Sequence, residues 1–154
     1  MRPMTLIDHR GPATAASPVE PGRLVHQALV DVWNSGEVDQ LDALLAADYV
    51  RHGRAEDTDK NHIKQTIQEA RAAFPDMRTV AEHQLVDGDL VATHWRCTGT
   101  HEGPFYDLPV THRRVDIEGM TFSRLHNGQI VEEWESWSKS DLFSSLGVAN
   151  LWEA

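Results

Sequence analysis

The hydrophobic positions in the first half of the chain repeat with the period of an α-helix. An apolar stripe from Leu24 to Trp33 predicts the first helix, and Gly36 stands where a C-terminal cap would end it. The positions that follow predict a short helix over Val38–Leu45, a short strand over Ala47–His52, and a third helix that begins near Asp59 and ends before Pro75.

The second half of the chain changes to the two-residue period of β-strands. The pattern predicts strands over Arg78–Val86, Leu90–Gly99, Arg114–Leu125 and Gln129–Trp137, and a short C-terminal helix over Ser140–Leu146. Asn127-Gly128 is a strong signal for a two-residue hairpin turn. Helices followed by long antiparallel strands are typical of the α+β class. We expect the antiparallel sheet to curve around the N-terminal helices as a cone with an internal pocket.

Length and charge limit the classes of function. The 154 residues fit one domain, and we expect a flexible, proline-rich arm over 1–22 and a single domain over 23–154. The net charge of −10 argues against nucleic acid and anionic membranes as partners, because both are bound through basic surfaces. No apolar run is long enough for a membrane span, and a single cysteine fits a cytoplasmic protein.

Four sequence blocks, which together run from about residue 24 to 147, resemble a known family. They are Val32–Asp39, Phe74–Met77, Gly99–Gly103 with Leu108–Val115 behind it, and Arg124–Glu135 followed by Leu146-Gly147. In these blocks the chain is similar to the SnoaL-like polyketide cyclases of the nuclear-transport-factor-like α+β cone superfamily. The resemblance implies an acidic residue on the last strand that does acid–base work in an intramolecular aldol ring closure, at Glu135 here. A histidine of the best-known members corresponds to Thr121, and a glutamine to Gly119.

The carboxylates of the last predicted strand are the first candidates for catalysis. If Glu135 points into the cone between aromatic rings, burial would raise its pKa and suit it to take and return a proton. Strand parity puts Glu133 on the same face, which makes it the reserve candidate. The alternative is that Glu135 is a solvated strand carboxylate.

Two further side chains are candidates for assisting roles. Thr121 could donate a hydrogen bond to a substrate carbonyl, and His52 could relay a proton or hold a carbonyl. Equally, Thr121 could simply favour a strand and His52 could be structural. The residues expected to bind substrate are Trp33, Tyr49, Trp95, Gly119, Glu133, Trp137 and Phe105. Phe105 lies in a Gly/Pro loop that could form a lid, and Gly119 could leave room for a ligand or mark a bulge.

The preferred function is a cofactor-independent cyclase, of lyase or isomerase type, acting on a polyketide-like or other natural-product carbonyl compound. No cofactor is expected, and no HxxxH or HExxH spacing predicts a metal site. One alternative is a non-catalytic module that binds small molecules. Another is a hydroxylase or epoxide hydrolase, which would need two carboxylates with an arginine between them. Strand parity gives no such triad with Arg96 or Arg124. Trp134, on the face opposite Glu135, predicts a homodimer formed through the sheet.

Overall fold

The computed structural model describes residues 21–53 and 56–148, in which three helices and one short strand precede four long strands and a final helix. The elements are α1 (Pro21–Ser35), a 3₁₀ turn (Val38–Gln40), α2 (Leu41–Leu44), β1 (Leu45–His52), α3 (Lys60–Ala73), β2 (Arg78–Asp87), β3 (Leu90–Thr100), β4 (Arg114–His126), β5 (Gln129–Trp137) and α4 (Lys139–Ser145). The predicted α+β class is confirmed. Helix α1 already includes Pro21 and Gly22, and the rest of the predicted arm lies outside the described residues.

The ends of the elements follow the local chemistry of the sequence. The side chain of Asp59 caps α3 by accepting a hydrogen bond from the backbone N–H of His62 at 2.9 Å. Gly36 follows α1 with φ of +77°, a conformation that glycine adopts without strain. Asn127 and Gly128 both have positive φ, as a tight hairpin turn between β4 and β5 requires.

The strands form one curved sheet in the order β1-β5-β4-β3-β2. Neighbours from β5 to β2 pair antiparallel, as expected, whereas β1 pairs parallel with β5. The parallel pair was not predicted, because the pattern of a short strand does not reveal its distant partner. Among the described residues β1 and β2 are the two edge strands and do not pair with each other, so the sheet does not close.

Strand β4 shows most clearly how the sheet divides into two faces. Its inward side chains alternate with outward ones, so Val115, Thr121 and Ser123 are buried whereas Met120 and Phe122 are exposed. The inner face packs against the helices in two clusters. One cluster includes Leu29, Val32, Leu41, Leu45, Tyr49, Ile63, Ile67 and Ile130, and the other includes Ala73, Phe74, Met77, Val115, Leu142 and Leu146. This packing confirms the cone.

Two prominent grooves in the described part of the chain lie away from Glu133 and Glu135. One, of about 450 Å³, lies between α1 and the start of β2, with Asp31 and Asn34 in its wall. The other, of about 340 Å³, lies by the two hairpin turns near Pro21 and Gly128. Over residues 21–53 and 56–148, no helix combines the length and apolar character of a membrane span.

Candidate active site

A fully buried carboxylate lies at the centre of a polar cluster on the inner face of the sheet. Glu133 on β5 has no exposed surface, and Oε1 accepts a hydrogen bond from the Ser123 hydroxyl at 2.9 Å. Its Oε2 accepts from the Tyr49 hydroxyl and from the Arg51 guanidinium, the latter at 2.8 Å. Burial alone would raise the pKa of Glu133, but Arg51, Tyr49 and Ser123 outweigh it and lower the pKa. The buried group is therefore an ionised carboxylate, and each of its oxygens accepts at least one hydrogen bond.

Arg51 joins this carboxylate to a second one. Its Nη1 lies 2.6 Å from Oε2 of Glu135, while its Nη2 holds Glu133. Burial disfavours the charge of Arg51, yet the two carboxylates raise its pKa above the ordinary value. Tyr49 lies two residues earlier on β1, and burial followed by the charge of Glu133 raises its pKa too. Tyr49 therefore stays protonated and donates.

Of the two carboxylates, Glu135 is the one that a ligand can reach. Its side chain keeps 19% exposure, compared with none for Glu133. Across β4 its register partner is Thr121, whose Oγ1 accepts a hydrogen bond from the Trp95 indole at 3.0 Å. Because the indole fills an acceptor position, the hydroxyl proton of Thr121 remains available for a ligand.

Gly119 provides the space for the ring of Trp95. A methyl group at position 119 would come within 2.8 Å of Trp95 Cη2 and of Trp137 Cβ, closer than real Cβ contacts. The β3–β4 register is regular at this position, so Gly119 does not mark a bulge. The absence of a side chain at Gly119 leaves room for the indole of Trp95. That ring occupies the space that the sequence suggested for a ligand.

An unpredicted histidine reaches the same interior from α1. His26 is 4% exposed, and its Nδ1 lies 3.2 Å from the Gln84 side-chain nitrogen, a donor. Burial lowers the pKa of His26, so the ring is neutral, and Nδ1 as acceptor leaves the proton on Nε2. That Nε2–H is buried and has no hydrogen-bond partner among the described residues. An unsatisfied donor of this kind costs free energy unless a ligand or water accepts from it.

His52 does not belong to this cluster, which corrects its predicted role at the pocket. It follows Arg51 on β1 and therefore points to the outer face. There its ring stacks on Trp134 at 5.0 Å, and its Nε2 lies 3.1 Å from Glu132. Hydrogen bonding to Glu132 raises the pKa of His52. The sheet thus separates His52 from Glu135.

The remaining predicted pocket residues lie towards the second core cluster. Trp33 and Trp137 are partly buried against it, and Trp137 borders Gly119. Phe105 packs edge-on against Phe74 at 5.2 Å. Trp33 packs against both core clusters, including the one that contains Tyr49, whereas Phe105 packs against the second cluster.

Comparison with known proteins decides the family. The family model described as SnoaL-like polyketide cyclase matches residues 23–146. The chain belongs to the SnoaL-like polyketide cyclase family. IdmH from Streptomyces antibioticus, described as a candidate polyketide cyclase, is 31% identical, with 84% of this chain and 99% of that chain covered and a TM-score of 0.74. No curated protein matches the chain.

Two more distant structures share the fold. A candidate SnoaL-like polyketide cyclase from a Jannaschia species is 21% identical. The match covers 89% of this chain and 99% of that protein, with a TM-score of 0.76. AclR from Streptomyces galilaeus, a candidate hydroxylase, is 22% identical. The match covers 81% of this chain and 80% of AclR, with a TM-score of 0.75. One SnoaL-like architecture is therefore found in proteins described with different activities.

Sequence reasoning missed Arg51 and His26 in this SnoaL-like chain, although each left a signal. Arg51 and Tyr49 are two residues apart on one strand, so their side chains point to the same face. This spacing would have placed the arginine beside a buried ring. His26 lies three and four residues before Leu29 and Val30, on the buried stripe of α1. A titratable group on a buried helix face is a candidate functional residue.

Proposed function

We propose that this SnoaL-like protein is a cofactor-independent cyclase that closes a ring in a polyketide-like or other natural-product carbonyl compound. Glu135 is the acid–base group in this proposal. The observation that carries it is the position of the Glu135 carboxylate: it is held at 2.6 Å by Arg51, lies beside the Thr121 hydroxyl and keeps part of its surface exposed. The family match supports the reaction class.

The reaction needs one group that moves a proton in two directions. Glu135 takes the proton from an acidic C–H between carbonyls, and the resulting enolate carbon attacks a second carbonyl of the same molecule. A C–C bond forms, the attacked oxygen becomes an alkoxide, and the protonated Glu135 returns its proton there. The product is an isomer of the substrate, so no oxidant, reductant or external group is required.

Two neutral donors suit the negative charge that develops on the enolate oxygen. The Thr121 hydroxyl is one, because Trp95 leaves its proton free. The Nε2–H of His26 is the other, because it is buried without a partner in the described chain. Fixed donors in a water-poor site stabilise developing charge more strongly than water does.

Glu133, Tyr49 and Ser123 act as positioning residues in this scheme. Glu133 is fully buried and each of its oxygens accepts at least one hydrogen bond from the protein, so its carboxylate is less accessible to a substrate proton than that of Glu135. It holds Arg51, and Arg51 in turn holds Glu135. The role predicted for Glu133, substrate contact or a reserve base, is thereby replaced by a role in orienting Glu135.

A second candidate, epoxide hydration, is favoured by one specific feature. Arg51 lies between Glu133 and Glu135, and this is the carboxylate–arginine–carboxylate arrangement that the sequence did not reveal. In that reaction one carboxylate activates water while an acid protonates the epoxide oxygen. The full burial of Glu133 and its three protein donors argue against its sharing that water, which places this function second.

We further propose that the protein forms a homodimer through the outer face of the sheet. Met120 and Phe122 are 47% and 41% exposed there, and Phe122 lies directly opposite Trp134 across β4–β5. Large apolar side chains on a sheet face favour burial against a second copy. The cytoplasmic location expected from the sequence stays a prediction.

Two small probes distinguish the candidate functions. The wild-type protein should convert a linear triketone to a cyclised isomer. Chromatography separates the isomer from the triketone, and mass spectrometry shows that its mass is unchanged. A terpenoid epoxide offered in ¹⁸O-water should remain unchanged. Diol formation with ¹⁸O incorporation and no cyclisation would favour epoxide hydration. Binding of the triketone without conversion of either probe would favour the non-catalytic module and contradict the cyclase.

A further inference from the structure

We propose a binding site for a divalent transition-metal ion on the outer face of the β2–β3 hairpin, held by Glu82, His83 and His94. One donor atom from each of these side chains lies within 4.8 Å of the others. The site is on the side of the sheet opposite to Glu135 and is independent of the proposed cyclase chemistry.

A β-bulge in β2 brings the three side chains together. The pairing with β3 shifts between Ala81 and His83, so Glu82 is the extra residue. Glu82 and His83 are therefore both exposed on the outer side, although consecutive strand residues normally alternate. His94 is the register partner of His83 and points to the same side.

The donor distances fit a tetrahedral ion. The Nδ1 atoms of His83 and His94 are 3.2 Å apart, and Oε2 of Glu82 lies 3.6 Å from Nδ1 of His94. Zinc–nitrogen bonds of about 2.0–2.1 Å at tetrahedral angles place two ligand nitrogens roughly 3.3 Å apart. The separation of the two Nδ1 atoms is close to that value, and the stacked imidazole rings would turn so that both lone pairs point at the ion.

A fourth residue orients one of the ligands. Nε2 of His94 lies 3.3 Å from Oε2 of Glu118 on β4. Metal-bound histidines usually donate their second ring N–H to a carboxylate, which fixes the tautomer and makes the ligand nitrogen more basic. Here that bond would leave Nδ1 of His94 unprotonated and directed at His83 and Glu82. The cluster thus has both ligands and a supporting carboxylate.

The donor set selects the class of ion. Imidazole nitrogens favour Zn²⁺, Cu²⁺ and Ni²⁺ over the oxygen-seeking Mg²⁺ and Ca²⁺. Two histidines and one glutamate supply three ligands, which leaves a position for water. The exposed side of Glu82 and His83 gives the ion a path from solvent.

The direct test is calorimetric titration of the full, tag-free chain with Zn²⁺ alone, together with the mass by light scattering. We expect one ion per chain whatever the oligomeric state, and a rise in the thermal midpoint on addition of zinc. His83→Ala and His94→Ala should each remove the site or weaken it by at least about tenfold, and Glu118→Gln should weaken it by about tenfold. His62→Ala, an exposed position on α3, is the matched control and should bind zinc as the wild type does.

Three results would overturn the proposal. The first is no zinc binding by the wild type, which would leave His83 and His94 as a hydrogen-bonded pair only. The second is binding that persists unchanged in both histidine variants, which would place the ion elsewhere in the chain. The third is one ion for every two chains, which would mean that the site is not complete within one copy. The thermal midpoints of the metal-free variants show that each is folded.

Discussion

Arg51 is the residue on which the arrangement of the candidate site depends. It touches both carboxylates, and its backbone is fixed by a bridge to Thr58 as well as by the β1–β5 pairing. A guanidinium can bind two carboxylates at once in defined directions, which a lysine ammonium cannot reproduce. The geometry of Glu135 is therefore set by a residue on another strand.

The alternation of side chains along β5 predicted the face on which each residue lies but not its hydrogen-bond partners. Parity correctly put Glu133 and Glu135 on one face and Trp134 on the other. It could not show which carboxylate would be buried and hydrogen-bonded on both oxygens, because that depends on Ser123 and Tyr49 from other strands. The resemblance to the SnoaL-like family supplied Glu135 as the candidate, which the residue type alone would not have done.

Gly119→Ala should destabilise the protein by about 1–3 kcal/mol, because a methyl group would collide with the Trp95 and Trp137 side chains. Denaturant unfolding measures the change in the free energy of unfolding. If overpacking is the cause, the cost should be smaller when the substitution is made in a Trp95→Leu background. An equal cost in both backgrounds would mean that the indole is not what Gly119 accommodates.

At the scale of elements, periodicity predicted the helices and strands closely but not their partners. The hairpins β2–β3 and β4–β5 follow from turn residues such as Asn127-Gly128, which act locally. The parallel pairing of β1 with β5 joins residues more than 80 positions apart, as the Arg51–Glu133 bond shows. The β2 bulge likewise has no clear periodic signal, so the cluster of Glu82, His83 and His94 could not be predicted.

Trp134→Glu and Met120→Glu should each dissociate the proposed dimer, because a carboxylate would have to be buried between two sheets. Light scattering over a concentration series measures the mass. Met120 is the cleaner position, since Trp134 also stacks on His52 within the chain. Leu24→Glu on α1, at 59% exposure, is the control and should leave the mass unchanged. Unaltered mass in both sheet variants would contradict the interface.

At the scale of the whole molecule, the buried Glu133 network should make folding stability depend on pH. Its pKa in the folded protein is lowered from 4.5, so the folded state binds fewer protons than the unfolded state. The contribution is fully present above pH 4.5 and is lost as the pH falls through the lower folded pKa.

Glu133→Gln should therefore lose stability at neutral pH, on the order of 3 kcal/mol, because a buried ion pair is broken and Arg51 loses one partner. The difference from wild type should narrow as the pH falls below 4.5, where the unfolded wild-type chain binds a proton at Glu133, and should be lost below the lower pKa of the folded state. Urea unfolding across pH measures this. Glu69→Gln, on the exposed side of α3, should follow the wild type. A constant difference at every pH would show that the charge of Glu133 is not what stabilises the cluster.

The cone also explains why the inner and outer faces can have separate roles. Side chains alternate along β5, so Glu135 points inward and the adjacent Trp134 points outward. On β3, Trp95 points inward and the adjacent His94 points outward. A reaction inside the cone, a partner outside it and a metal ion on the hairpin therefore use different side chains of the same strands.

The most direct measurement is the turnover of Glu135→Gln beside that of Glu132→Gln, with the triketone as substrate. Glutamine keeps the size of the side chain but cannot take a proton. We expect the rate of cyclisation to fall by about 10²–10⁴-fold while triketone affinity stays close to wild type and a cooperative thermal transition shows that the variant is folded. Glu132 faces outward beside His52, so its variant should be fully active. Cyclisation by Glu135→Gln at the wild-type rate would contradict the account.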